Sequence, residues 1–109
     1  MIIAIDFDDT ITESSPYPIM GKIKEQAVVV IKKLKSQGHT ICLWTCRAGE
    51  YLDEAIKALK EKGIEFDYIN NSPIDTGSRK IVADIYIDDR AYGGEIDWEA
   101  IEKNLLPLT

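Results

Sequence analysis

The chain has 109 residues, of which 45% are hydrophobic, enough for one core and not for two, so a single domain over residues 1–109 is expected. Its net charge of −6 argues against a general nucleic-acid-binding surface and means that an anionic ligand needs local positive charge. No apolar run is long enough to cross a membrane, the start has no signal-peptide pattern, and Cys42 and Cys46 form neither a Cys-x-x-Cys motif nor a disulfide framework, so a cytoplasmic location is expected.

The first element is the apolar run Met1-Ile2-Ile3-Ala4-Ile5, a buried strand that ends in Asp6-Phe7-Asp8-Asp9-Thr10. Asp9 reads as a turn residue, and the Thr10 hydroxyl suits capping that turn. Residues 11–21 hold Ser14-Ser15-Pro16-Tyr17-Pro18, enough for a small flap. Residues 22–37 carry Ile23, Ala27, Val30, Ile31 and Leu34 at helical spacing, with Gly38 as a stop. The β-branched run Val28-Val29-Val30-Ile31 competes as a strand, but the long periodic context predicts helix. Residues 40–45 form a second strand, apolar through Ile41-Cys42-Leu43-Trp44 and ending in Thr45. A second amphipathic helix is predicted over 50–62, stopped by Gly63. A short strand follows at 66–69, then the loop Asn70-Asn71-Ser72-Pro73. Residues 82–87 form a fourth strand, preceded by Arg79 and Lys80 and ending in Asp88-Asp89. Asp97 is placed to cap a last helix that ends before Pro107. Trp98 is expected to pack that helix.

Two buried strands that each end in adjacent acids make a shared carboxylate site plausible. Open α/β sheets bind ligands at the carboxyl ends of their strands. Clustered acids repel unless a cation offsets them, and hard oxygen ligands of this kind suit Mg²⁺.

Taken together, Asp6-x-Asp8-x-Thr10, an apolar strand ending in Thr45, Lys80, and Asp88-Asp89 form an ordered set. This order resembles the haloacid dehalogenase superfamily of aspartyl-phosphate phosphohydrolases, over residues 6–89. The resemblance implies a three-layer, doubly wound parallel sheet with a Rossmann-like core, in which the Asp88 strand lies beside the first strand on the side away from the second. It implies that Asp6 is the nucleophile and Asp8 the acid and base. It places Mg²⁺ among Asp6, the main-chain carbonyl of Asp8, Asp88 and Asp89, with Asp89 aligning better than Asp88 to the inner ligand. Thr45 would hydrogen-bond the phosphoryl group, and Lys80 would hold nucleophile and phosphate by charge. Arg47 follows Thr45 at a loop-to-helix junction, where it could contact substrate or lie on the surface.

Many members carry a cap domain; here no segment is long enough to form one. An open site fits either a phosphorylated small molecule or a phosphorylated macromolecule, and a second copy of the chain could cover it. Two other readings share the residues. A phosphotransferase or mutase would use the same aspartyl-phosphate with a different acceptor. A receiver-like phosphoacceptor module has similar parts, but the third strand here ends near Ile69-Asn70 and Lys80 precedes the final acids, an order that disfavours it.

Overall fold

A computed structural model of the chain describes residues 1–74, 77, 80–90 and 95–105. Four parallel strands, β1 (Ile2–Ile5), β2 (Thr40–Leu43), β3 (Tyr68–Ile69) and β4 (Ile85–Ile87), form one sheet in the order β3-β2-β1-β4. Three helices, α1 (Glu25–Ser36), α2 (Gly49–Glu61) and α3 (Trp98–Leu105), complete the described regular structure. From β1 the chain winds outward through β2 to β3, then crosses back to set β4 on the free side of β1. The sheet is therefore doubly wound, and its direction of winding reverses at β1, as expected.

Register sorts the strand residues onto two faces. Ile3 pairs with Ile41 and Ile85, and Ile5 pairs with Leu43 and Ile87. These side chains share one apolar cluster with Ala27, Val30, Ile31 and Leu34 of α1, Ala55 and Leu59 of α2, and Trp98. The β-branched run of α1 is helical because that face is buried along its length, and packing overrides propensity. On the other face Ala4 pairs with Cys42 and is covered by Ile81, with Ile2, Trp44 and Ala83 packed around them. Among the described residues, Ile81 and Ala83 supply the cover on this face.

Several boundaries differ from expectation: β2 ends at Leu43 rather than 45, α2 is shifted by one residue to Gly49–Glu61, and α1, β4 and β3 differ as well. The first helix begins at Glu25 rather than 22, because the Lys22 carbonyl accepts from the Glu13 amide and the Lys24 amide donates to the Ile11 carbonyl. Those bonds fold residues 11–24 into an antiparallel flap, closed by a Thr12–Ile23 bridge. Gly21 sits where a Cβ would meet the Glu13 carbonyl oxygen at 2.1 Å, so only glycine fits. Strand β4 begins at Ile85 rather than 82, since the preceding residues turn onto the sheet face. Strand β3 is a two-residue edge at Tyr68–Ile69. Asp97 caps α3 as expected, accepting from the Ala100 amide at 3.1 Å; the stop at Pro107 lies outside the described residues.

Trp98 does more than pack its helix. Its buried indole N–H donates to the Thr10 carbonyl at 2.9 Å, tying α3 to the turn after β1. Trp98→Phe leaves that carbonyl without its donor and should cost about 1–3 kcal/mol. Urea denaturation measures this; an unchanged midpoint would mean that the bond contributes nothing net.

Candidate active site

The sheet ladder runs on past the strands and sets out the site. The Asp6 amide donates to the Ile87 carbonyl, the Trp44 amide to that of Ile5, and the Asn70 amide to that of Leu43. Asp6, Thr45, Asn70 and Asp88 therefore line one carboxyl edge. Beyond Asp6 the chain coils around a single acceptor. The Phe7 carbonyl takes the amides of Thr10, Ile11 and Thr12, with Phe7 itself buried as the anchor. Asp9 adopts φ 61°, in the left-handed region that aspartate tolerates better than most residues. Its carboxylate accepts from the Ser15 amide and so fastens the base of the flap.

This coil separates the acids of the first motif. Asp6 joins Asp88 and Asp89, with one carboxylate oxygen of each within 4.8 Å of the others. The buried Thr10 hydroxyl lies 3.2 Å from Asp6 Oδ2 and 3.1 Å from Asp89 Oδ1, and it accepts from the Asp89 amide. One hydroxyl proton thus serves two carboxylates. Burial, and then the neighbouring Asp89 and Asp88, push the Asp6 carboxyl up to about 7. Three hard oxygen donors around a carboxyl that resists ionising suit a small divalent cation such as Mg²⁺.

Asp8 points elsewhere. Arg47 Nε donates to Asp8 Oδ2 at 2.9 Å and Nη2 to Oδ1 at 2.7 Å, a two-pronged grip. Nη2 also reaches the Pro18 carbonyl and Nη1 the Tyr51 carbonyl. The guanidinium lies 5.4 Å from the Phe7 ring centroid and 5.5 Å from that of Tyr17. The Arg47 side chain is 0% exposed and that of Asp8 24%. Arg47 as a surface residue is thereby corrected. As a substrate contact it has no open face, because its donors are engaged inside the protein. The Asp8 side chain stands outside the acid triad, so any share it has in a metal falls to its main-chain carbonyl.

A cavity of about 400 Å³ opens over these groups, lined by Asp6, Asp8, Asp9, Ser15, Tyr17, Cys46 and Arg90. Thr45 directly precedes Cys46 of that lining, with its amide donating to the Asn70 side chain and its hydroxyl accepting from the Arg47 amide. That hydroxyl does not cap α2, which starts at Gly49. Lys80 is exposed and holds its ammonium 4.6 Å from the centroid of the Tyr86 ring. Arg79, its neighbour in the basic pair, lies outside the described residues. Neither Arg90 nor Tyr17 has an expected role from the sequence, and Thr10 is expected as part of the first motif and as a turn cap. Arg90 directly follows the Asp88-Asp89 pair, and that adjacency was the available signal. A second cavity, between α2 and β3, is lined by Ile56, Leu59, Ile64, Phe66 and Ile69 with Lys60 and Glu65, and lacks a convergent acid cluster.

The raised Asp6 carboxyl has a consequence for stability. Between the ordinary carboxylate range and about pH 7, the folded chain keeps a proton that the unfolded chain has released. The unfolded state then binds fewer protons, so this group makes stability fall as pH rises. We expect the metal-free melting temperature to drop between about pH 5.5 and about pH 7.5, above the range of ordinary carboxyls. Asp6→Asn should flatten the slope, and saturating Mg²⁺ should do the same to the wild-type chain. A slope unchanged in Asp6→Asn would place the titration elsewhere.

Residues 3–98 match the family model described as haloacid dehalogenase-like hydrolase. A solved structure of a conserved protein from Bacteroides thetaiotaomicron superimposes with a TM-score of 0.89 at 40% sequence identity, covering 100% of this chain and 92% of that one. No curated protein matches the chain. The family match takes in Asp6 after β1, Asp88 after β4 and everything between them, and on that extent the chain belongs to the haloacid dehalogenase-like hydrolases.

Proposed function

We propose that the chain is a Mg²⁺-dependent phosphomonoester hydrolase that works through an aspartyl-phosphate on Asp6. The supporting observation is the division of the first motif. Asp6 converges with Asp88 and Asp89, while Asp8 is held apart by Arg47 and still lines the same cavity. Two carboxylates in unlike environments can take unlike roles.

In the first step an Asp6 oxygen attacks phosphorus and the ester P–O bond breaks. Protonated Asp8 gives its proton to the departing alkoxide. In the second step water attacks the phosphoryl group and gives a proton to Asp8, and the bond from phosphorus to Asp6 breaks. Inorganic phosphate leaves and both side chains return to their starting states. Asp6, Asp88 and Asp89 would hold Mg²⁺, which when bound supplies positive charge against the carboxylates and the phosphoryl oxygens. Thr45, at the carboxyl end of β2, would donate to a phosphoryl oxygen, its hydroxyl proton being free of the Arg47 amide that it accepts. Lys80 would add charge from the loop ahead of β4. The substrate is a phosphorylated small molecule or macromolecule, with water as the acceptor.

Phosphate release from an aryl and an alkyl phosphate, with Mg²⁺ and with a chelator, tests the reading. Turnover should require the cation, and full activity in chelator would sink the mechanism. Asp6→Asn should abolish release and covalent labelling together. Asp8→Asn should lower turnover on the alkyl ester by about 10²-fold or more and on the aryl ester by much less, since a good leaving group needs little protonation. Labelling that persists without turnover would favour a phosphoacceptor module, and transfer to an added alcohol would favour a phosphotransferase.

A further inference from the structure

Arg47 is among the largest fully buried side chains in the protein. Burying a guanidinium is costly unless its charge is paired and its N–H groups are satisfied. Here the charge is paired and every guanidinium nitrogen has an acceptor, and the partners come from three separate parts of the chain. Asp8 belongs to the turn after β1, Pro18 and Tyr17 to the flap, and Tyr51 to the first turn of α2. The arm is also fixed at its base, where the Arg47 amide donates to the Thr45 hydroxyl. Asp8 and Tyr17, which Arg47 holds together, both line the cavity, while Arg47 itself is closed off from it.

We infer that Arg47 is a positioning residue: it orients the Asp8 carboxyl for proton transfer and pins the flap beside it, without touching substrate. The inference rests on the phosphatase reading and adds to it a residue that acts through Asp8. An arginine is required because the planar fork fixes carboxylate orientation, which a lysine point charge does not. The same guanidinium is bonded to the flap at Pro18, so the wall of the leaving-group side and the acid are held in one register. Misplacing a catalytic group by about an ångström can cost about 10²-fold in rate.

The test compares wild type, Arg47→Met, Arg47→Lys, Asp8→Asn and the double variant Asp8→Asn with Arg47→Met on an alkyl and an aryl phosphate. Arg47→Met should lower kcat on the alkyl ester by about 10-fold to about 10²-fold, with a small change on the aryl ester and in KM. Arg47→Lys should fall between it and wild type, and it carries the comparison if the methionine variant does not fold. On the Asp8→Asn background, Arg47→Met should cost little more, because the effect passes through Asp8. Amide hydrogen exchange in residues 15–20 should rise in the Arg47 variants while β1 and α1 stay protected. A higher KM with kcat unchanged, or equal losses on the two esters, would overturn the inference in favour of a substrate contact or a merely structural role. Additive losses in the double variant would do the same. Unchanged exchange in the flap would overturn the anchoring. If wild type released no phosphate from either ester, the phosphatase reading would fall and the proton-transfer role with it, while the exchange result would still decide the anchoring.

Discussion

Forcing three carboxylates together is the constraint around which the rest of the structure is arranged. It follows from strand register. Ile5 pairs with Ile87 in parallel, so the residues that follow them, Asp6 and Asp88, leave the sheet side by side. Water would screen such a group well at an exposed loop, but Asp6 is drawn into the protein and its carboxyl rises to about 7. The surroundings then hold the acids in place against their repulsion. Thr10 bridges Asp6 and Asp89 through its hydroxyl, the Phe7 carbonyl gathers the turn, and Trp98 reaches from α3 to the Thr10 carbonyl. A chain of buried hydrogen bonds thus leads from the last helix to the acid cluster. These bonds hold together an arrangement of acids that could take up a cation.

Asp8 meets the same difficulty and resolves it another way. Rather than joining the crowded acids, it is gripped by one buried arginine. Two residues of the same type, two positions apart, end in opposite electrostatic settings: one among negative charges, the other under a fixed positive one. The coil after β1 makes this possible, because it turns the chain instead of continuing the strand. A continued strand would have put both side chains on one face.

The strands and the acids at their ends were legible because they depend on short-range pattern. An apolar run followed by acids is a buried strand meeting a polar edge, and β1 and β4 both follow that rule. The helix stops at Gly38 and Gly63 were readable for a similar reason, since both adopt the positive φ that a helix end favours. What escaped were contacts made over long separations. Arg47 looked like any arginine at a helix start, and nothing local says that a partner 39 residues earlier will bury it. Thr10 was legible as a turn residue but not as a bridge to Asp89, which lies 79 residues later. The flap hid the true start of α1, because Ile23 fits helical spacing while serving as a strand-like partner of Thr12. Residues 82 and 83 read as strand because they are apolar, and for Ala83 packing on a sheet face beside Ile81 satisfies the same composition.

The commitment of Arg47 also bears on how a phosphate could be received. The chain carries a net charge of −6, and the cavity is floored by carboxylates. On the proposed reading, a phosphate dianion entering there needs compensation close at hand. Arg47 cannot supply it directly, since its charge is spent on Asp8 behind the cavity wall. Among the described residues, Arg90 lies on the cavity lining and Asp6, Asp88 and Asp89 could hold a cation, while Lys80 of the loop ahead of β4 is the third source on that reading. Arg90 and Lys80 are exposed, where water weakens their pull. On that reading the burden would fall on a cation held where the acids are already gathered. The open side of the cavity keeps Tyr17, 54% exposed and in edge contact with Tyr51, as its main apolar surface. Selection among phosphate esters would accordingly come from what the leaving group gains against that ring, while the acids and the cation treat every phosphoryl group alike.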